Sequence, residues 1–80
     1  MRLDKFLKVS RIIKRRTVAN EACDAARVTV NSRPAKASYD VKVGDVIEVG
    51  FGMKALKIRV TDIKDSTKKA DASDMYEVLE

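Results

Sequence analysis

Near Arg27 the spacing of apolar residues along this chain switches from helical to alternating, and the switch limits what the chain can fold into. Before it, Leu3, Phe6 and Leu7 recur at the i, i+3, i+4 interval of one helix face. After it, Val28 and Val30 alternate with Arg27, Thr29 and Asn31, the period of a half-buried strand. The order implies an α+β fold: two packed N-terminal helices followed by a small antiparallel β-sheet. Eighty residues make one small domain, 1–80. A chain of that size buries roughly 60–65% of the surface its unfolded form exposes, enough for one core and no cleft between domains.

Asp4 reads as an N-cap for the first helix, with Leu3 before it. Basic residues recur at every third position from Arg2 to Lys14. On one unbroken helix that interval drifts about 60° per step and would smear the charges around the cylinder. Ile12 and Ile13 also fall off the Leu3/Phe6/Leu7 stripe, so the helix is expected to end near Val9 and bend at Ser10. A second helix is expected from Arg16 to Cys23 or Asp24, with Val18, Ala19, Ala22, Cys23 and Ala26 as its buried stripe. Cys23 reads there as a small buried hydrophobe.

Residues 31–34 are turn chemistry, and 35–37 can form a short returning strand. Gly44 and Asp45 mark another turn before a strand at 46–49. Residues 50–52 close a hairpin into 55–63, where Leu56, Ile58 and Val60 face inward and Lys57 and Arg59 face water. Residues 65–73 read as a polar loop. Residues 75–79 alternate well enough for a last strand, and a helical turn is also open.

Charge is the second constraint. The first sixteen residues hold seven basic side chains and one acid, Asp4, whereas the remainder is close to neutral, with ten basic and eleven acidic residues. A surface built only for solubility does better with both signs interspersed, so this excess points to a polyanion, RNA or DNA. The candidate contacts are Arg2, Lys8, Arg11, Lys14, Arg15, Arg16 and Thr17. Three cations, Lys14, Arg15 and Arg16, sit at the start of the second helix, where the dipole and free N–H groups favour an anion. Arginine suits the strongest contacts because its planar fork bridges phosphate oxygens. Asp4 could instead orient Arg2 or a neighbouring cation, and Thr17 either caps the helix or donates to a phosphate. Lys36 could extend the positive surface. The aromatics Phe6, Tyr39, Phe51 and Tyr76 are not interleaved with the basic cluster, which argues against a base-stacking platform.

Several function classes fall away. Cys23 is alone and there is no histidine, so neither an intramolecular disulfide nor a zinc site of the usual nitrogen and sulfur type can be built. No cofactor motif is present. The longest apolar run near the N-terminus is two residues, which fits neither a signal peptide nor a membrane span and makes the expected compartment the cytoplasm. Asp40, Asp45 and Asp62 have no paired base, so an enzyme is not expected. A membrane-surface helix would need a broader apolar face than Leu3, Phe6 and Leu7 provide.

The sequence also resembles a known family. Arg2–Leu7 as R-L-D-K-F-L, the basic R-T at 16–17, R-V-T-V-N at 27–31 and V-G-D at 43–45 resemble the RNA-binding domain first described in small-subunit ribosomal protein S-four, the αL motif. The likeness spans about 1–49, with strands at 50–80 as an addition. M-R-L-D-K-F-L-K-V-S-R, K-R-R-T, T-K-K and M-Y-E-V-L are most similar to the RqcP (YabO-like) family of bacterial ribosome-associated quality control, with the heat-shock factors that bind stalled large subunits close by.

The resemblance implies a non-enzymatic factor that binds the obstructed large ribosomal subunit. It would touch large-subunit rRNA and the P-site peptidyl-tRNA and support C-terminal alanine tailing with RqcH. Off the ribosome it would be a monomer. It makes Arg2 and Arg16 the leading RNA contacts. The alternative is a heat-shock-type factor that rescues dissociated large subunits without a role in tailing. Relatives usually carry glycine where this chain has Ala26, and often where it has Ser32. Alanine at positive φ costs on the order of 1 kcal/mol, so either the second helix ends differently here or the chain carries strain. Many relatives also have a hydroxyl cap where Arg15 stands.

Overall fold

The computed structural model describes residues 1–63 and 75–79. Its elements run in the expected order: α1 (Leu3–Val9), α2 (Arg16–Asp24), then β1 (Val28–Val30), β2 (Arg33–Pro34), β3 (Val46–Phe51), β4 (Lys54–Val60) and β5 (Tyr76–Leu79). The strands form one antiparallel sheet in the order β2-β1-β3-β4-β5. One cluster of buried residues joins helices and sheet: Leu3, Phe6 and Leu7 from α1 and Ala19 and Cys23 from α2 meet Val28, Ile47, Val49, Ile58 and Val60. Burying the leucine, isoleucine, phenylalanine and valine side chains among them contributes about 1.5–3 kcal/mol each.

Helix α1 ends at Val9, as its broken stripe implied. The chain then reverses through Arg11, whose φ of 63° lies in the left-handed region. That turn drops Ile13 into the core at 6% exposure.

Helix α2 buries less than expected. Only Ala19 and Cys23 are fully covered, Ala22 is partly so, and Val18 is 47% exposed. Ala26 is exposed and does not belong to the stripe. It has φ 57°, with its N–H donating to the Cys23 carbonyl at 3.0 Å and the Arg27 N–H to that of Ala22 at 2.9 Å. This is a Schellman ending built on alanine, so the chain carries strain where glycine would carry none.

Asn31 and Ser32, with φ 53° and 70°, form the two-residue turn between β1 and β2. The returning strand is Arg33–Pro34, two residues earlier than 35–37, because that tight turn starts the pairing at once (Val30 opposite Arg33). Leu56 on β4 is only half-buried, whereas Ile58 and Val60 are fully inside. Residues 76–79 are a strand, which resolves the open alternative in favour of β. The loop expected at 65–73 lies outside the described residues.

Candidate nucleic-acid interface

Asp4 is not an N-cap. Arg2, with φ −63° and ψ 145°, is the residue that precedes α1, and it makes no side-chain cap. The segment 37–41 runs alongside the helix start and supplies the missing acceptors: the Leu3 N–H donates to the Tyr39 carbonyl at 2.8 Å and the Asp4 N–H to that of Ala37 at 3.2 Å. Backbone carbonyls therefore satisfy the Leu3 and Asp4 N–H groups, while the Asp4 carboxylate takes only the Lys5 N–H of that first turn, at 2.8 Å, and keeps capacity for other partners.

Those partners are mainly cations. Asp4 is 2% exposed and accepts from Arg2 Nε at 3.2 Å, Arg2 Nη2 at 3.4 Å, Arg16 Nε at 3.3 Å, Asn20 Nδ2 at 3.5 Å and its neighbour's Lys5 N–H at 2.8 Å. Burial pushes the carboxyl up. The bonds from Arg16, Arg2, Lys5 and Asn20 outweigh that and hold it below the ordinary carboxylate value, so it is ionised at neutral pH.

One buried anion thus ties together guanidiniums from the starts of two helices. Each arginine side chain stays about half exposed, at 51% for Arg2 and 48% for Arg16. Most of their N–H donors remain free to face a ligand. Two positive groups share one negative group, so the centre keeps net positive charge. The arginines also pay their ordering cost before any ligand arrives.

The other expected contacts surround this centre in the chain. Lys8 lies in the last turn of α1, Arg11 takes the turn after it, Lys14 and Arg15 lie in the connection, and all four are exposed. None of them has a carboxylate partner among the described residues. Thr17 does not cap α2: Arg15 precedes the helix without a side-chain cap, and Thr17 lies exposed in its first turn. There it lines, with Arg16, Asn20, Glu21 and Asp4, a hollow of about 410 Å³. Sequence reasoning missed Asn20 altogether. The signal was its place one helical turn after Arg16, on the same face.

A second polar centre holds the loop that flanks α1. Asp45, 9% exposed, accepts from the Tyr39 hydroxyl at 2.9 Å, the Lys42 N–H at 3.0 Å and Asn31 Nδ2 at 3.1 Å. The carboxylate bound to the Tyr39 hydroxyl pushes that phenol up. Gly44, at φ 95°, makes the turn that delivers Asp45. Asp40 accepts the N-terminal amine at 2.8 Å, which holds its carboxyl below the ordinary value and pins the chain beside Arg2. Among the described residues no buried side-chain nitrogen or oxygen lacks a partner, and no acidic, cysteine or histidine group could hold a metal ion.

The chain carries an S4 domain: the S4 domain family model matches residues 1–47, which hold both helices, β1, β2 and the start of β3. The chain is 60% identical over 79 residues to the RQC P-site tRNA stabilizing factor of Streptococcus pneumoniae, covering 99% of this chain and 90% of that protein. It is 56% identical over 79 residues to the protein of the same name from Bacillus subtilis, covering 99% and 92%. Within the S4 class, the chain belongs to the family of RQC P-site tRNA stabilizing factors, as the resemblance in its sequence implied. Its fold also superposes on Heat Shock Protein 15 of Vibrio cholerae, a structure described as trimeric. That match has a TM-score of 0.91 and 29% identity, and covers 99% of this chain and 81% of that one.

Proposed function

We propose that this protein is a non-enzymatic factor that binds the obstructed large ribosomal subunit through rRNA and the P-site peptidyl-tRNA, and that it supports C-terminal alanine tailing of stalled chains with RqcH. It acts in the cytoplasm, as a monomer off the ribosome and as a single RNA-binding unit. The observation that carries the reading is the convergence of Arg2 and Arg16 on buried Asp4, with both guanidiniums half exposed. The names of the two relatives supply the P-site tRNA as the ligand. No described helix is long and apolar enough to cross a membrane.

The mechanism is electrostatic and geometric. Arg16 opens α2, whose first turn contains no acid, so the helix dipole and the guanidinium are both best satisfied by a bound phosphate. Arg2 and Arg16 supply the oriented forks; Lys8, Arg11, Lys14 and Arg15 add positive charge around them, and Thr17 adds a hydroxyl. Such a surface reads the shape and phosphate spacing of folded RNA without reading its sequence. Contacts to about four to six phosphates give a slope of log affinity on log salt of roughly −3 to −5.

Arg2→Ala and Arg16→Ala should each abolish co-sedimentation with large subunits while lowering Tm by only about 5 °C, because each removes one half-exposed guanidinium from buried Asp4 and leaves the other paired. A much larger loss of Tm in parallel with binding would sink the assignment. The close superposition on Heat Shock Protein 15 favours one second reading, rescue of dissociated large subunits without tailing. Affinity capture separates the two, since RqcH and alanyl-tRNA accompany the protein only under the first.

A further inference from the structure

A groove of about 630 Å³ opens between the sheet edge at β2 and the segment that follows it. It is lined by the cations Arg33 and Lys36, by Pro34, Ala35 and Tyr39, and by the exposed Ser38. No acidic residue lines it, and neither cation has a carboxylate partner among the described residues. The groove is also preformed. Asp45 binds both Asn31 and the Tyr39 hydroxyl, two residues that line it, and the Tyr39 N–H closes a turn onto the Lys36 carbonyl at 3.0 Å. Because the Ala37 and Tyr39 carbonyls accept from the first N–H groups of α1, the groove adjoins the Arg2–Asp4 centre.

We propose that this groove seats one unpaired nucleotide of the bound RNA, with its base against Pro34, Ala35 and Tyr39 and its flanking phosphates on Arg33 and Lys36. Apolar and aromatic side chains together with two cations in one groove match the base and the phosphates of a single-stranded segment. An acidic peptide is disfavoured, because Pro34 lacks an N–H and the two-residue edge strand cannot template an added strand. The inference rests on the RNA-binding reading above and deepens it: the arginine centre takes folded RNA, and the groove takes an unpaired nucleotide beside it.

The test is fluorescence anisotropy with a labelled single-stranded oligouridine and, separately, a fully paired RNA hairpin of equal phosphate number, at about 0.15 M salt. Arg33→Ala combined with Lys36→Ala should weaken oligouridine binding about tenfold. Ser38→Trp adds bulk at an exposed lining position with charge unchanged; it should weaken oligouridine about as much and hairpin binding less than about twofold. Lys36→Glu provides an independent variant, and Tm confirms that each is folded. Unchanged oligouridine affinity in Ser38→Trp would overturn the proposal. So would inorganic polyphosphate or polyglutamate competing as well as oligouridine at equal charge. Arg2→Ala on the hairpin reports the arginine centre separately, so failure of that reading and failure of the groove give different patterns.

Discussion

Asp4 and Asp45 are the two buried acids among the described residues, yet they hold different kinds of partner. Asp4 faces two half-exposed guanidiniums, whereas Asp45 faces an amide, a phenol and a backbone N–H. A carboxylate that gathers neutral internal donors fastens chain to chain: here it joins the β1–β2 turn, the 38–45 segment and the start of β3. A carboxylate that gathers exposed cations leaves them available to a further anion, so its main product is the position of charge. Burial alone would have put both acids in one category. The partners separate them.

The largest expected effect falls on the fastening acid. Asp45→Ala leaves the Asn31 amide, the Tyr39 hydroxyl and the Lys42 N–H without their acceptor, at about 2 kcal/mol in total. For a chain of this size that is a fall of roughly 10 °C in Tm, measurable by circular dichroism. At a temperature where the variant is folded, affinity for a paired RNA hairpin should stay within about twofold. If hairpin binding fell while Tm held, the contrast between the two acids would be broken.

Asp4→Asn should behave the other way round. Its charge-assisted bonds to the arginines become weaker neutral ones, and stability falls by about 1 kcal/mol because the partners remain solvated. Hairpin and large-subunit binding should fall about tenfold, since Arg2 and Arg16 lose their fixed positions. The folded carboxyl titrates below its unfolded value, so its contribution to stability is present above about pH 4 and is lost as pH falls through the folded pKa. Urea titrations of wild type and Asp4→Asn should therefore differ at pH 7 and converge below pH 4. A constant difference across that window would show that the charge of Asp4 is not what matters.

The helix-to-strand switch at Arg27 made the architecture legible because a small core forces strong periodicity on its elements. The break after Val9 was legible for the same reason: Ile12 and Ile13 did not fit the first stripe. The caps were not. Asp4 has the chemistry of an N-cap, but the chain at 37–41 supplied the acceptors from a distance that no local pattern records. The α2 stripe was overestimated at Val18 and Ala26 because helical spacing locates a face but not where its covering ends. The cationic cluster was readable as composition. Its pairing through Asp4 was open only as an alternative, and Tyr39 showed no link to Lys36 and Arg33 until the groove placed the three together.

Cys23 gives the smallest and most discriminating test, because it sits in the core and reports on Asp4 from inside. Burial, then the charges of Asp4 and Asp24, push its thiol up to about 11. At pH 8 the thiolate fraction is about two orders of magnitude below that of an unperturbed cysteine, and iodoacetamide alkylation of the native protein should be slower by at least that factor. Removing the nearby negative charge in Asp4→Asn lowers the thiol pKa and should speed alkylation a few-fold. Asp45 does not contribute to that shift, so a folded Asp45→Asn should leave the rate unchanged once local opening is matched by added urea. Equal acceleration in both variants would mean that alkylation follows loss of stability, not charge. Acceleration in Asp4→Asn alone would place the ionised carboxylate within reach of the helix-pair core, where it can orient Arg2 and Arg16.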